Sequence, residues 1–301
     1  MDPVIVVFGF GIGALVGTTG MGGASLMTPL LILLFGVQPV TAIGTDIFYG
    51  AVTKTVGAWR HLKQGTVHRG IAFWLAVGAV PSSIGGVWVI ELLKRAYGED
   101  ELNQLVLGIL GAALLVVGVA TFVRALFLRE VIFERHAMHL YREHIAGAVL
   151  TGVLTGFVIG LTSAGGGTLV AIVLIAAFRL TPQRVVGTSI FQAAVVLWAA
   201  GTAHWIGGNV DLGLAANILA GSIPGVLVGS RLAVVMPQGL LRNALGFVLV
   251  GSAVTLITKE HVPVSILVPA LAGATLVIAA LFAFQIAVHQ RARGAAAAAT
   301  S

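Results

Sequence analysis

The residues most able to do chemistry are two charges set in an apolar run. Asp46 and Lys54 stand eight positions apart in the stretch from about residue 42 to 60, where almost every neighbour is apolar or small. In a lipid-spanning helix each such charge costs about 2.5 to 3.5 kcal/mol on insertion scales, so a retained one is a functional candidate. Two helical turns separate them, about 12 Å at 1.5 Å per residue, so the pair cannot close along one straight helix. Lys54 is suited to attract an anion, and Asp46 to handle a coupling proton or cation. The simpler roles are that Lys54 snorkels to an interface and that Asp46 caps a helix.

Two small-residue runs supply the rest. Gly17-Thr18-Thr19-Gly20-Met21-Gly22-Gly23-Ala24-Ser25 and Gly160-Leu161-Thr162-Ser163-Ala164-Gly165-Gly166-Gly167-Thr168 interrupt apolar segments that would otherwise continue as helix. Backbone unwound at membrane depth must line a cavity or be buried in protein. Each run then opens a new helix, whose free N–H groups and positive dipole end suit an anion. The alternative is a tight turn between two tilted spans. No Gly-Lys-Ser/Thr follows either run, so neither is a phosphate loop. Thr45-Asp46 and Thr188-Ser189 read as the starts of further helices, where oxygen-bearing residues cap. Gly9, Gly13 and Gly17 recur every four residues and mark a helix face that another backbone can approach.

The elements that position these groups are membrane helices. Hydrophobic residues are 58% of the 301, charged residues 9%, and mean hydropathy is +1.03, far outside the range of soluble domains. The net charge of +6 resides in short loops between apolar runs, a topology signal and not a nucleic-acid face. With no cysteine, thiol catalysis and iron–sulfur chemistry are excluded. No HExxH, Gly-x-Ser-x-Gly or pair of intramembrane aspartates appears, so no enzyme, cofactor or metal is expected. His136, His139 and Glu143 have metal-compatible spacing but read better as a solvated face. His61 and His204, beside Trp59 and Trp205, read as interfacial anchors.

Eleven apolar segments fall at about residues 3–17, 24–36, 42–60, 70–93, 102–123, 145–161, 168–178, 185–204, 212–235, 239–257 and 263–288. The short first, second and seventh leave open whether each broken pair spans or re-enters. Either way alternate loops share a face. One face carries Arg60, Lys63, Arg69, Arg124, Arg129, Arg135, Arg142, Arg179, Arg184, Arg231, Arg242, Arg291 and Arg293, and the other only Lys94, Arg95 and Lys259. Basic loops favour the cytoplasm, which puts the N-terminus outside and the C-terminus inside a bacterial inner membrane.

A shift of 143 positions aligns residues 9–86 with 152–229 without a gap, at 25 identities in 78. Gly44-Thr45-x-Ile47-Phe48 falls on Gly187-Thr188-x-Ile190-Phe191, and His61, Gly65, Val67, Gly78 and Pro81 on His204, Gly208, Val210, Gly221 and Pro224. Asp46 falls on Ser189 and Lys54 on Leu197. Five segments per copy, an odd number, turn the second copy over relative to the first. The expected fold is all-α, with two inverted-topology repeats containing glycine-broken short helix pairs. The expected divisions are residues 1–123 and 145–257 for the repeats, an amphipathic cytoplasmic linker over 124–144, an additional helix over 258–288 and a mobile tail over 289–301. Inverted repeats point to a secondary transporter with its site near the midplane.

The runs GTTGMGGASLMTP and GLTSAGGGTL, followed by AIGTDIFYGAVTKTVGAWRHLKQGTV and VVGTSIFQAAV, resemble the TauE/SafE family of membrane permeases over about residues 4–288. That resemblance implies export of sulfite or an organosulfonate such as sulfoacetate, with Thr19, Gly22, Gly23, Ser25, Thr162, Ser163, Gly166 and Thr168 around the substrate. Thr45, Lys54, Thr188 and Ser189 complete the candidate binding set, and Asp46 is the candidate for a coupling proton or cation. The rival readings are an anion channel or an anion-sensing receptor on the same scaffold. The expected partners are a small anion and the bilayer, without nucleic acid.

Overall fold

A computed structural model describes residues 2–19, 24–127, 142–232 and 238–259, and the described residues are all-helical. In chain order the helices are α1 (Pro3–Thr19), α2 (Ala24–Phe35), α3 (Pro39–Lys63), α4 (Arg69–Ala96), α5 (Glu99–Phe127), α6 (Arg142–Thr162), α7 (Gly166–Ala176), α8 (Pro182–Ile206), α9 (Leu212–Leu232) and α10 (Gln238–Lys259). Five of them are long and apolar enough to cross a membrane, in α4, α5, α6, α8 and α9. The chain is a polytopic membrane protein. The 124–144 linker apart from its ends, nearly all of the 258–288 helix and the tail lie outside the described residues.

Local sequence explains the boundaries. Proline at the first position opens α3 and α8, where a missing N–H is harmless. Thr181 caps α8 by accepting from the Arg184 N–H. Both helices begin several residues before the sequence predicts, which corrects one expectation. Thr45, Asp46, Thr188 and Ser189 lie inside α3 and α8, beyond the first turn, and so do not cap their own helices.

Their hydroxyls cap other helices. Thr45 Oγ1 accepts from the Asp211 N–H just before α9, at 3.0 Å, and Thr188 Oγ1 accepts from the His68 N–H just before α4, also at 3.0 Å. These two bonds are the same bond under the 143-residue shift, with the partners exchanged. The glycine contacts repeat the exchange. A Cβ on Gly9 would lie 2.6 Å from the Ile218 carbonyl oxygen, and one on Gly152 would strike that of Leu75. Gly13 and Gly156 meet Ser222 and Ala79, while Gly78 and Gly221 meet Val149 and Val6. So α1 lies against α9 and α6 against α4, backbone on backbone, as small residues in membrane helices permit.

Corresponding helices run antiparallel. On the α3–α8 seam, Gly50 meets Leu197, Gly57 meets Ile190, Gly201 meets Phe48, and Trp198 Nε1 donates to Thr55 Oγ1 at 2.8 Å. On the α5–α10 seam, Gly111 meets Ile257 and Gly118 meets Val250. Buried apolar side chains form three groups. One joins α1, α2, α5, α9 and α10 with part of α3, a second joins α4, α6 and α7 with residues of α5 and α8, and a third joins α3 and α8 with residues of α4, α5 and α6.

Candidate functional site

The site grows from the end of α6. The helix stops at Thr162 because Ser163, at φ 61°, and Gly165, at φ 90°, turn the backbone into the left-handed region. Glycine tolerates that conformation at Gly165; at Ser163 it is a strained one, held by tertiary contacts. Thr162 stabilises the turn from within, since its Oγ1 accepts from the Ala164 N–H at 3.2 Å while donating to the Val158 carbonyl. The chain then restarts as α7, leaving the first N–H groups of that helix without intrahelical acceptors.

Three elements converge on this turn. Ser163 Oγ donates to Asp46 Oδ2 on α3 at 2.7 Å, and Thr28 Oγ1 on α2 donates to the same oxygen at 2.6 Å. Ser25 Oγ, at the start of α2, accepts from the Gly165 N–H at 3.3 Å. The N-termini of α2 and α7 therefore face each other across a single hydroxyl, with a carboxylate alongside. Each helix end carries about half a positive charge, so the pair offers an anion close to one elementary charge before any side chain contributes. Asp46 is buried, and its Oδ1 has no hydrogen-bond partner among the described residues.

The other predicted residues fall as follows. Lys54 is half-buried on α3, between Gly50 and Gly57 in sequence and so on the face turned to α8. It makes no ion pair with Asp46, as the two-turn spacing requires; among the described residues the ion pair is Lys94 with Glu91. Thr168 is buried at the start of α7. Ser189 is buried on α8 and donates to the Val186 carbonyl. Thr45 and Thr188 carry the interlocking caps described above. Gly166 opens α7. Gly22, Gly23 and the side chain of Thr19 lie outside the described residues.

Several polar groups escape a reading of the sequence. Thr28 completes the Asp46 bridge, and its repeat counterpart is Ala171, an asymmetry matching that of Asp46 with Ser189. Gln192 on α8 is fully buried with neither amide atom bonded among the described residues, and its counterpart on α3 is the buried Tyr49. His204 is no interfacial anchor: it is wholly buried and hydrogen-bonded at both ring nitrogens. Among the described residues no cluster of three or more His, Cys, Asp or Glu could hold a metal.

Comparison with known proteins follows the same line. The family model described as "Sulfite exporter TauE/SafE" matches residues 5–256. "Probable membrane transporter protein YjnA" of Bacillus subtilis is 39% identical over 232 residues, 77% of this chain and 90% of that protein. "Probable membrane transporter protein YdhB" of the same organism is 26% identical over 243 residues, 80% of this chain and 94% of its own length. "Sulfite exporter TauE/SafE family protein 2" of Arabidopsis thaliana is 31% identical over 112 residues, 37% of this chain and 24% of that protein. No solved structure matches. A chain of membrane helices, matched by that model over most of its length, belongs to the TauE/SafE family of membrane transporters and is not an enzyme.

Proposed function

We propose that the protein is a secondary transporter that exports a small anion, sulfite or an organosulfonate such as sulfoacetate, by alternating access. The observation that carries this reading is the meeting of the α2 and α7 N-termini at Ser25 and Gly165, beside the buried Asp46. A sulfonate or sulfite presents three oxygens to N–H donors and would be drawn by both helix ends. In this reading Ser25, Thr162, Ser163, Gly166 and Thr168 surround that point, and Thr19, Gly22 and Gly23, from the first glycine run of the sequence, complete the set. Thr45, Thr188 and Ser189 hold the flanking turns of α3 and α8. Lys54 adds attraction from the α3–α8 seam, and Asp46, one of whose oxygens has no partner among the described residues, exchanges the coupling proton or cation. The Gln192 amide, without a partner among the described residues, supports a polar passage along the same two helices, because buried polar groups ordinarily find partners.

The architecture that serves this function is a pair of inverted repeats, residues 1–123 and 145–257, joined by the cytoplasmic linker over 124–144. Antiparallel packing of α3 with α8 and α5 with α10, together with the exchanged contacts, supports it. The distribution of Lys and Arg supports a bacterial inner membrane location with the N-terminus outside and the C-terminus in the cytoplasm.

The test is flux into proteoliposomes with sulfite, sulfoacetate, taurine and chloride under imposed pH and sodium gradients. Saturable, gradient-dependent flux of sulfite or sulfoacetate, in preference to zwitterionic taurine, is the expected outcome. Flux that rises without saturation and ignores both gradients would identify a channel instead.

A further inference from the structure

The break at the end of α6 creates an orphan that the chain fills from a distance. In an unbroken helix the Gly160 carbonyl would accept from the Ala164 N–H, but that N–H is bonded to Thr162 Oγ1. His204 Nε2 lies 3.0 Å from the Gly160 oxygen and takes its place. Because a carbonyl only accepts, Nε2 carries the proton, and Nδ1 accepts from Asn209 Nδ2 at 3.2 Å. Asn209 is saturated in turn. Its Nδ2 also donates to Glu91 Oε1 at 2.7 Å, and its Oδ1 accepts from Lys94 Nζ at 2.7 Å. Lys94 Nζ also donates to Glu91 Oε1 at 3.3 Å and to the Gly207 carbonyl at 3.2 Å. The network therefore runs from the partly exposed Lys94 and Glu91 to an imidazole buried against the same terminal turn of α6 that presents Ser163 to Asp46.

The opposite half lacks the last link. His61 occupies the position of His204 in the first copy, and its Nδ1 pairs with Thr66 Oγ1 at 2.9 Å just as His204 pairs with Asn209. Its other ring nitrogen bonds no described residue, and the ring is partly exposed.

We propose that His204 is a positioning residue, the buried end of a latch formed with Asn209, Glu91 and Lys94. The latch closes the face made by the C-termini of α4 and α8 over the α6–α7 break. It fixes α6 so that Ser163 reaches Asp46, and it must release for substrate to pass on this side. The inference rests on the transporter reading for its purpose, but the latch itself is measurable without transport.

The chain has no cysteine, so one introduced thiol reports alone. Leu161→Cys, on the last turn of α6 and nearly buried, is labelled with a membrane-impermeant maleimide on intact spheroplasts. Against that background His204→Leu and Lys94→Met are each expected to raise the labelling rate at least fivefold. His204→Gln, whose amide can donate to Gly160 and accept from Asn209, is expected to stay within twofold of the parent. In flux assays His204→Leu raises KM more than it lowers the maximal rate, since it loosens the closed site and leaves the anion-facing groups intact. Labelling of His204→Leu at the parental rate, or equal labelling of the Gln and Leu variants, overturns the latch. Should His204→Leu fail to fold, Lys94→Met and His204→Gln decide alone: a parental rate in Lys94→Met overturns it, and an increase with His204→Gln unchanged supports it. Failure of the parent to transport, with labelling as expected, removes the transporter reading and leaves the latch standing.

Discussion

Replacing Asp46 with asparagine separates the carboxylate's charge from its hydrogen bonds. Asp46 Oδ2 receives hydroxyls from Thr28 and Ser163, and an amide oxygen can receive both. The amide nitrogen then takes the position of Oδ1, which has no partner among the described residues to lose. Folding should therefore change by no more than about 1 kcal/mol, the net worth of an ordinary hydrogen bond. Asp46→Leu, by contrast, orphans both buried hydroxyls at about 1 to 3 kcal/mol each. The functional effect of the asparagine is larger and of a different kind. If one proton exchanges at Asp46 per anion, a pH gradient of about one unit supplies about 1.4 kcal/mol, enough for roughly tenfold accumulation. Asp46→Asn should still bind the anion and exchange labelled for unlabelled substrate across proteoliposomes. Its gradient-driven accumulation should fall from roughly tenfold to no enrichment. Tenfold accumulation persisting in a folded Asp46→Asn protein would refute the assignment of Asp46 to coupling. Accumulation by the parent on a sodium gradient alone would replace the proton with a cation at the same carboxylate.

Lys54→Ala removes an attractive charge but no hydrogen bond to a described residue, so KM for the anion should rise about tenfold, equivalent to about 1.4 kcal/mol, with maximal flux nearly kept; an unchanged KM would assign Lys54 to interfacial snorkelling. Gly156→Val places a side chain where the Ala79 backbone lies and should abolish the folded protein in detergent size-exclusion, whereas Gly11→Ala, with open space around it, should not. His68 sits outside the spans and caps α4 by accepting from the Ile71 N–H, which requires a neutral ring. Burial, with the nearby Arg184 adding to it, lowers its pKa below the usual 6.5. Its contribution is then present above that value and lost as pH falls through the lowered one. Thermal stability should drop on acidification by about 1 kcal/mol, the worth of a cap, and His68→Asn should remove the drop.

Much of the architecture was legible because its causes are local or periodic. Apolar runs, the glycine interruptions and the 143-residue repeat account for the ten helices of the described residues and for the break between α6 and α7. Asp46 stood out because a charge replaced a neutral residue within that repeat, and the same comparison of Thr28 with Ala171 would have found its partner. Other features depend on contacts far apart in sequence. Thr45 and Thr188 look like caps of the helices they sit in, yet each caps a helix of the other copy, more than a hundred residues away. His204 looks like a surface histidine beside a tryptophan, and only the lost Ala164–Gly160 bond explains why it is buried.

The exchanged contacts also constrain what can move. If the two sequence halves rocked as rigid units, α1 would slide on α9 and α4 on α6. Those are the pairs in which glycine backbones meet carbonyl groups with no side chain between them, and close-packed interfaces of that kind do not deform gradually. The apolar groupings likewise join the first broken pair to α9 and the second to α4, while α5 contributes to every group. For alternating access, the expected moving bodies are therefore mixed units, α1–α2–α9 and α6–α7–α4, each taking helices from both copies and turning about the α3–α8 seam. Spin labels at the exposed Val4 on α1 and Ile223 on α9 should keep their separation when substrate binds. Labels at Val4 and the exposed Phe73 on α4 should not. The opposite result would return the motion to the sequence halves, and would require the glycine interfaces to part at every cycle.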